Sequence, residues 1–210
     1  MTREIYIFGS TTRGEVAATS DVDVLVIPDK NSNDFYPSTW SVYSKETIES
    51  YFSKGRLFAW HLYLEAVRIY PRSGTGFLAE LGAPAPYLSI VDDLEDLTFL
   101  LQSTLLELRQ NSPSQIYELG LAYTAIRDIA MAASSVMLPR PSFSRYAPYE
   151  LPVPCPLPLE VYEIAMKSRH ASTRGTPEPI NFSQASNYLK TTSILDWVEW
   201  VRSESCRTHS

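Results

Sequence analysis

Cysteine is almost absent from this 210-residue chain: only Cys155 and Cys206 occur, far apart in sequence. That excludes a disulfide-stapled scaffold and points to free thiols in a reducing compartment. The three histidines, His61, His170 and His209, are as scattered as the cysteines, so no zinc-ligand spacing exists. No stretch approaches the roughly 18 consecutive apolar residues expected of a membrane span. The opening MTREIYIFGS lacks a basic start followed by a long apolar region, so no signal peptide is expected. Positive charge is also short. Eighteen Lys and Arg face 24 Asp and Glu, a net charge of −6, with no strong basic run. That balance argues against a dedicated nucleic-acid groove. The expectation is a soluble cytoplasmic protein that does not engage a membrane. At 44% hydrophobic residues the chain has enough apolar material to bury a core.

What the sequence does have is concentrated near its start. Residues 9–26 read GSTTRGEVAATSDVDVLV. An apolar strand over residues 5–8 leads into Gly9-Ser10. A loop follows with Arg13, Gly14 and Glu15, then a strand with Asp21 and Asp23 two positions apart. Side chains at i and i+2 of a strand project to one face, about 6–7 Å apart along it. Two hard oxygen ligands so spaced suit Mg²⁺ or Mn²⁺ bound to a nucleotide's phosphates. Taken alone, an Asp-x-Asp on a strand is more often a solvated face, and Gly-Ser after a strand is ordinary turn chemistry. The combination is more demanding. The Gly-Ser follows an apolar strand, the link to the Asp pair is about ten residues, and apolar residues 24–27 come next.

In that order and spacing the segment resembles the DNA polymerase β-like nucleotidyltransferase superfamily. The resemblance covers residues 3–70 and implies an α+β fold, a small mixed β-sheet core with helices. Gly9 and Ser10 would then present backbone N–H groups to an NTP at a helix N-terminus. Asp21 and Asp23 would hold metal ions and carry catalysis, transferring an NMP with loss of pyrophosphate. Arg13 would neutralise phosphate, although a solvent-facing loop cation reads equally well. Glu15 reads as a surface or helix N-terminal residue, and Ser20 as a cap or turn before the strand. The acceptor hydroxyl could belong to a protein, an RNA end or a small molecule, and the acidic charge favours protein or small molecule. Minimal enzymes of this kind often form toxin–antitoxin or phage-defence pairs, so an operon partner or a homo-oligomer is in keeping with the resemblance.

One position departs from the family pattern. Active members carry a third carboxylate on a neighbouring strand. The next strand here, residues 39–43, is TWSVY, with Thr39 or Ser41 at the inward position and no acid. Asp34 and Glu65 are the nearest alternatives, and Glu65 is the better candidate third metal ligand. His61 and Glu65 are spaced i, i+4, so on a helix they share a face. Either the pair serves the site, or His61 is a satisfied, half-buried histidine with Glu65 as its neighbour. The second reading is the simpler. Weaker metal binding leaves an alternative: a catalytically degenerate protein that binds nucleotide or a partner without turnover.

Residues 71–87 carry Gly and Pro punctuation, placing a boundary between a core domain, 1–88, and a helical bundle, 89–205. Helices are expected over Lys45–Ser53, 92–109 (capped by Asp92 or Asp93), 114–137, 158–169 and 182–201, with fraying after Arg202. The small residues Gly120, Ala122, Ala125, Ala130, Ala132 and Ala133 fit a helix closely approached by another. The proline-rich residues 138–160 carry Phe143, Tyr146 and Tyr149, and so read as an ordered loop packed on the surface. In SRHASTRG, residues 168–175, Arg169 and Arg174 with Ser172 and Thr173 could bind the nucleotide's phosphates. Equally, they could simply complement a helix C-terminus stopped by Gly175. Arg127-Asp128 is not followed by a histidine within residues 129–139, which removes support for a HEPN-type ribonuclease motif. The pair reads as a buried or interface contact.

Overall fold

The computed structural model describes residues 3–16, 22–29, 35–71 and 73–209, with the side chains of 208 and 209 excepted. The chain is α+β and divides into two compact units, Met1–Leu88 and Ser89–Ser210. No helix among the described residues is long and apolar enough to cross a membrane.

The first unit opens with β1 (Glu4–Phe8), the four-residue helix α1 (Ser10–Arg13), β2 (Asp23–Ile27) and the short β3 (Ser41–Val42). Then follow α2 (Lys45–Ser53), α3 (Leu57–Glu65), β4 (Val67–Tyr70) and α4 (Phe77–Leu81). The strands form one mixed sheet in the order β3-β2-β1-β4. β1 runs antiparallel to β2 and β4, while β2 and β3 are parallel.

Alternation decides which side chains share a face. Tyr6 and Phe8 of β1 lie opposite Leu25 and Asp23 of β2, so these four point to one side. On that side Tyr6, Phe8, Leu25 and Ile27 pack with Ile48 and Phe52 of α2, Ala59 and Leu62 of α3, and Phe77 and Leu78 of α4. The start of α2 has a local cause: the Ser44 side chain accepts from the Thr47 N–H at 3.2 Å. At the other end of β1, the buried Glu4 carboxylate accepts from the Phe77 N–H at 3.0 Å and from the Tyr6 hydroxyl. This fastens α4 to the sheet.

One expectation in this unit needs correction, and one element went unanticipated. Around His61, where the sequence reading set no boundaries, α3 ends at Glu65 and β4 begins at Val67. The alternating Val67 and Ile69 supply the extended preference. The expected strand over 39–43 shortens to Ser41–Val42, because Trp40 closes a turn through its N–H on the Pro37 carbonyl at 3.0 Å.

The second unit is helical: α5 (Ile90–Arg109), α6 (Gln115–Met137), α7 (Ala147–Glu150), α8 (Leu159–Arg174), α9 (Phe182–Thr191) and α10 (Ile194–His209). α6 is the hub, packing against each of the other five. Its small residues make this feasible, since Ala122, Ala125, Ala130, Ala132 and Ala133 are fully buried. A Cβ on Gly120 would come within 2.9 Å of the Arg169 Cα, so α8 crosses α6 there almost backbone to backbone.

Again the boundaries correct the sequence reading. α5 starts at Ile90 with Ser89 before it, which puts Asp92 and Asp93 in the first turn rather than at the cap. α8 runs through Arg174, five residues beyond the expected end. The helix expected over 182–201 breaks at Thr192, whose backbone is extended at φ −74°, ψ 151°. A new helix starts beyond it, with the Asp196 N–H on the Ser193 carbonyl at 2.9 Å. Nor does the chain fray after Arg202. α10 continues to His209 with Ser205 buried. The proline-rich stretch is ordered: it buries Phe143, Ala147, Leu151, Cys155 and Leu157, and Tyr149 donates to the Leu157 carbonyl at 3.0 Å.

Candidate active site

β1 ends at Phe8, and the chain turns at once through Gly9, which sits at φ 72°, ψ −148°. Only glycine adopts such a conformation without strain. Gly9 is also pressed against β2: a Cβ there would lie 2.3 Å from Asp23 Oδ2. The contact follows from register, since Phe8 and Asp23 are paired residues of neighbouring strands. Asp23 itself is exposed, at the end of the face whose inner part forms the core.

Ser10 begins α1, and the Thr12 N–H and hydroxyl both bond the Gly9 carbonyl, at 3.1 and 2.8 Å. The N–H groups of Ser10 and Thr11 stand at the first two helical positions, where no intrahelical acceptor exists. α1 closes on Gly14, left-handed at φ 74°. The turn therefore brings together backbone donors and one carboxylate. Asp21, Ser20 and Asp34 lie outside the described residues.

Behind this turn stand four further groups. Arg13 donates through Nη1 to Glu65 Oε2 at 2.5 Å, and its Nη2 lies 3.1 Å from Glu15 Oε2. His61 Nε2 lies 3.0 Å from the same Glu65 oxygen. The His61 ring packs edge-on against Phe8, with centroids 5.3 Å apart. Burial opposes ionisation of Glu65, but the bond and charge of His61 and then those of Arg13 outweigh it. The carboxyl is held below its usual range. Sequence spacing paired His61 with Glu65. It gave no sign that Arg13, 52 residues earlier, would share the same oxygen.

Ser41 on β3 pairs with Leu25, beside the strand that carries Asp23, and β3 contains no acid. Among the described residues, no group of three or more His, Cys, Asp or Glu side chains could hold a metal ion.

Arg169 and Arg174 lie on α8 in the second unit. The hydroxyls of Ser172 and Thr173 bond the Arg169 carbonyl, at 3.1 and 2.6 Å. Gly175 is left-handed at φ 65°, and its N–H bonds the Ala171 carbonyl. These are the features of a helix C-terminus. Arg127 and Asp128 form an ion pair at 2.7 Å, with the guanidinium over the Tyr123 ring.

Residues 2–68 match the family model described as the nucleotidyltransferase domain. The matched segment holds β1, the Gly9 turn, β2, and His61 and Glu65 of α3, and is consistent with the DNA polymerase β-like nucleotidyltransferase superfamily. No curated protein matches the chain significantly.

Proposed function

We propose that the protein is a Mg²⁺-dependent nucleotidyltransferase that moves a nucleoside monophosphate from an NTP to an acceptor hydroxyl. The observation that carries this reading is the contact between the Gly9 turn and the Asp23 carboxylate, inside the segment matching the nucleotidyltransferase domain. A turn with helix-start N–H groups beside an exposed carboxylate suits a polyphosphate with its cation. The donor set is all hard oxygen, which fits Mg²⁺ or Mn²⁺. Asp23 with Asp21 would hold the ion, which when bound would neutralise the triphosphate and favour ionisation of the attacking hydroxyl. The backbone at Gly9 and Ser10 would orient the phosphates in line with that hydroxyl. A new O–P bond to the α-phosphorus forms as the α–β anhydride bond breaks. Pyrophosphate leaves, and the hydroxyl proton passes to solvent. Incubation with labelled NTPs, Mg²⁺ and protein, RNA or small-molecule acceptors tests this. Absence of transfer to any of the three classes by pure folded protein would sink it.

A second reading is supported by β3. With Ser41 where the family places its third acid, the protein would bind NTP, or a partner, without turnover. Calorimetry with ATP and Mg²⁺, alongside a pyrophosphate assay, separates the two: tight binding without pyrophosphate release favours the second. Cytoplasmic location, read from the sequence's composition, and pairing with a toxin or antitoxin partner, read from family resemblance, belong to the same proposal.

A further inference from the structure

α1 is too short to be stable alone, since helix nucleation is costly and four residues return almost none of it. It is also bounded by two glycines at positive φ, Gly9 and Gly14, where the backbone has most freedom to lose. Something outside α1 must therefore hold it. Arg13, its last residue, supplies the tie: the 2.5 Å bond to Glu65 spans 52 residues. Glu65 sits at the last position of α3, where the helix dipole disfavours a carboxylate. Arg13 and His61 offset that cost on a single oxygen, Oε2. His61 in turn rests on Phe8, the residue before Gly9 and the strand partner of Asp23. The contacts close a ring running from Phe8 through His61, Glu65 and Arg13 back to the turn.

The charges decide what Arg13 does. Its guanidinium faces two carboxylates, of Glu65 and Glu15, and is mostly buried, as Glu65 is. A cation so compensated contributes little net field to a polyphosphate. Likewise, an oxygen shared by Arg13 and His61 is poorly placed to ligate a metal.

We propose that Arg13, Glu65 and His61 form a positioning clasp that fixes the Gly9–Ser10 turn against Asp23. Arg13 acts on the nucleotide only through the backbone it holds, and Glu65 is the anchor rather than a third metal ligand. The inference rests on the nucleotidyltransferase reading.

The test uses the full-length protein, well below its melting temperature, with each NTP plus Mn²⁺ by calorimetry. The proteins are the wild type, Arg13→Ala, Glu65→Gln and the double variant. A clasp predicts that each single change weakens nucleotide binding by roughly tenfold or more, the scale of a lost charge-assisted hydrogen bond. The double variant is then no worse than Arg13→Ala alone, because both changes break one tie. Mn²⁺ binding without nucleotide is unchanged in Glu65→Gln. If Arg13 contacted phosphate directly, removing the nearby acid would leave binding equal or tighter, which overturns the clasp. Additive losses, or weaker Mn²⁺ binding in Glu65→Gln, overturn it in favour of a metal ligand. Should Glu65→Gln fail to fold, His61→Gln gives the same comparison through the other partner of Oε2. A wild-type protein that binds no NTP overturns this inference together with the reading beneath it. A wild type that binds NTP while Glu65→Gln is unaffected overturns the clasp alone.

Discussion

Gly9 and Asp23 touch so closely that the glycine has no room for a side chain: the missing Cβ would sit 2.3 Å from Asp23 Oδ2. Gly9→Ala meets two penalties, the clash and the positive φ of 72°. The carboxylate must swing away or the turn must open. The expected outcome is loss of nucleotide binding with a stability decrease of about 1–3 kcal/mol. Calorimetry with NTP and denaturant titration of the same sample measure both.

Asp23→Asn keeps the shape and removes the charge. The expected outcome is a fall in nucleotidyl transfer of at least about a hundredfold, on the scale of losing electrostatic stabilisation at a reacting centre. Melting temperature should barely move, since Asp23 is exposed. Transfer at wild-type rate would remove Asp23 from the proposed chemistry.

The Glu65 carboxyl is held below its ordinary value of 4.5 by His61 and Arg13 against burial. A depressed folded-state pKa gives stability that is present above the unfolded value and lost as pH falls through the folded one. Melting temperatures of wild type and Glu65→Gln should therefore differ at neutral pH, with the gap shrinking as pH falls below 4.5 and closing once the glutamate protonates in the folded protein. A gap that persists at low pH would mean the glutamate stabilises by packing alone.

Glycine within a helix normally invites replacement, because alanine is better by about 1 kcal/mol. Gly120 is an exception. A Cβ would stand 2.9 Å from the Arg169 Cα and 3.1 Å from its nitrogen, backbone that cannot swing aside as a side chain can. Gly120→Ala should destabilise by about 1–3 kcal/mol, as overpacking does. Denaturant midpoints of the two proteins decide the sign.

Cys155 is buried and Cys206 exposed. Burial pushes the Cys155 thiol up to about 12, so it stays protonated and unreactive while the fold persists. Because the folded value is raised, the thiol's contribution to stability is intact below the unfolded pKa and is lost as pH climbs towards 12. A thiol-specific reagent at pH 8 should modify Cys206 at once, and Cys155 only after denaturant is added.

Local signals carried much of this fold. The run over Lys45–Ser53 was legible as α2, and residues 92–109 as nearly all of α5. β4 was hidden because Val67 and Ile69 follow directly on an aromatic helix, with only Ala66 between. The break at Thr192 escaped because TTS offers no proline or glycine, and hydroxyl residues occur in helices too. At the candidate site, Gly9, Ser10 and Asp23 could be read from a short stretch of sequence. The bond between Arg13 and Glu65 could not, because it depends on how α3 packs against the sheet.

β1 sits between two antiparallel neighbours, so the end of β1 and the starts of β2 and β4 emerge at one edge of the sheet. Whether Asp23 faces the Gly9 turn is thus a property of pairing between β1 and β2. A slip of one residue would send it to the opposite surface. Length can vary between Gly14 and Val22 without moving that carboxylate across the sheet. A single residue inserted between Glu4 and Phe8 would displace it, however well the rest of the chain folded.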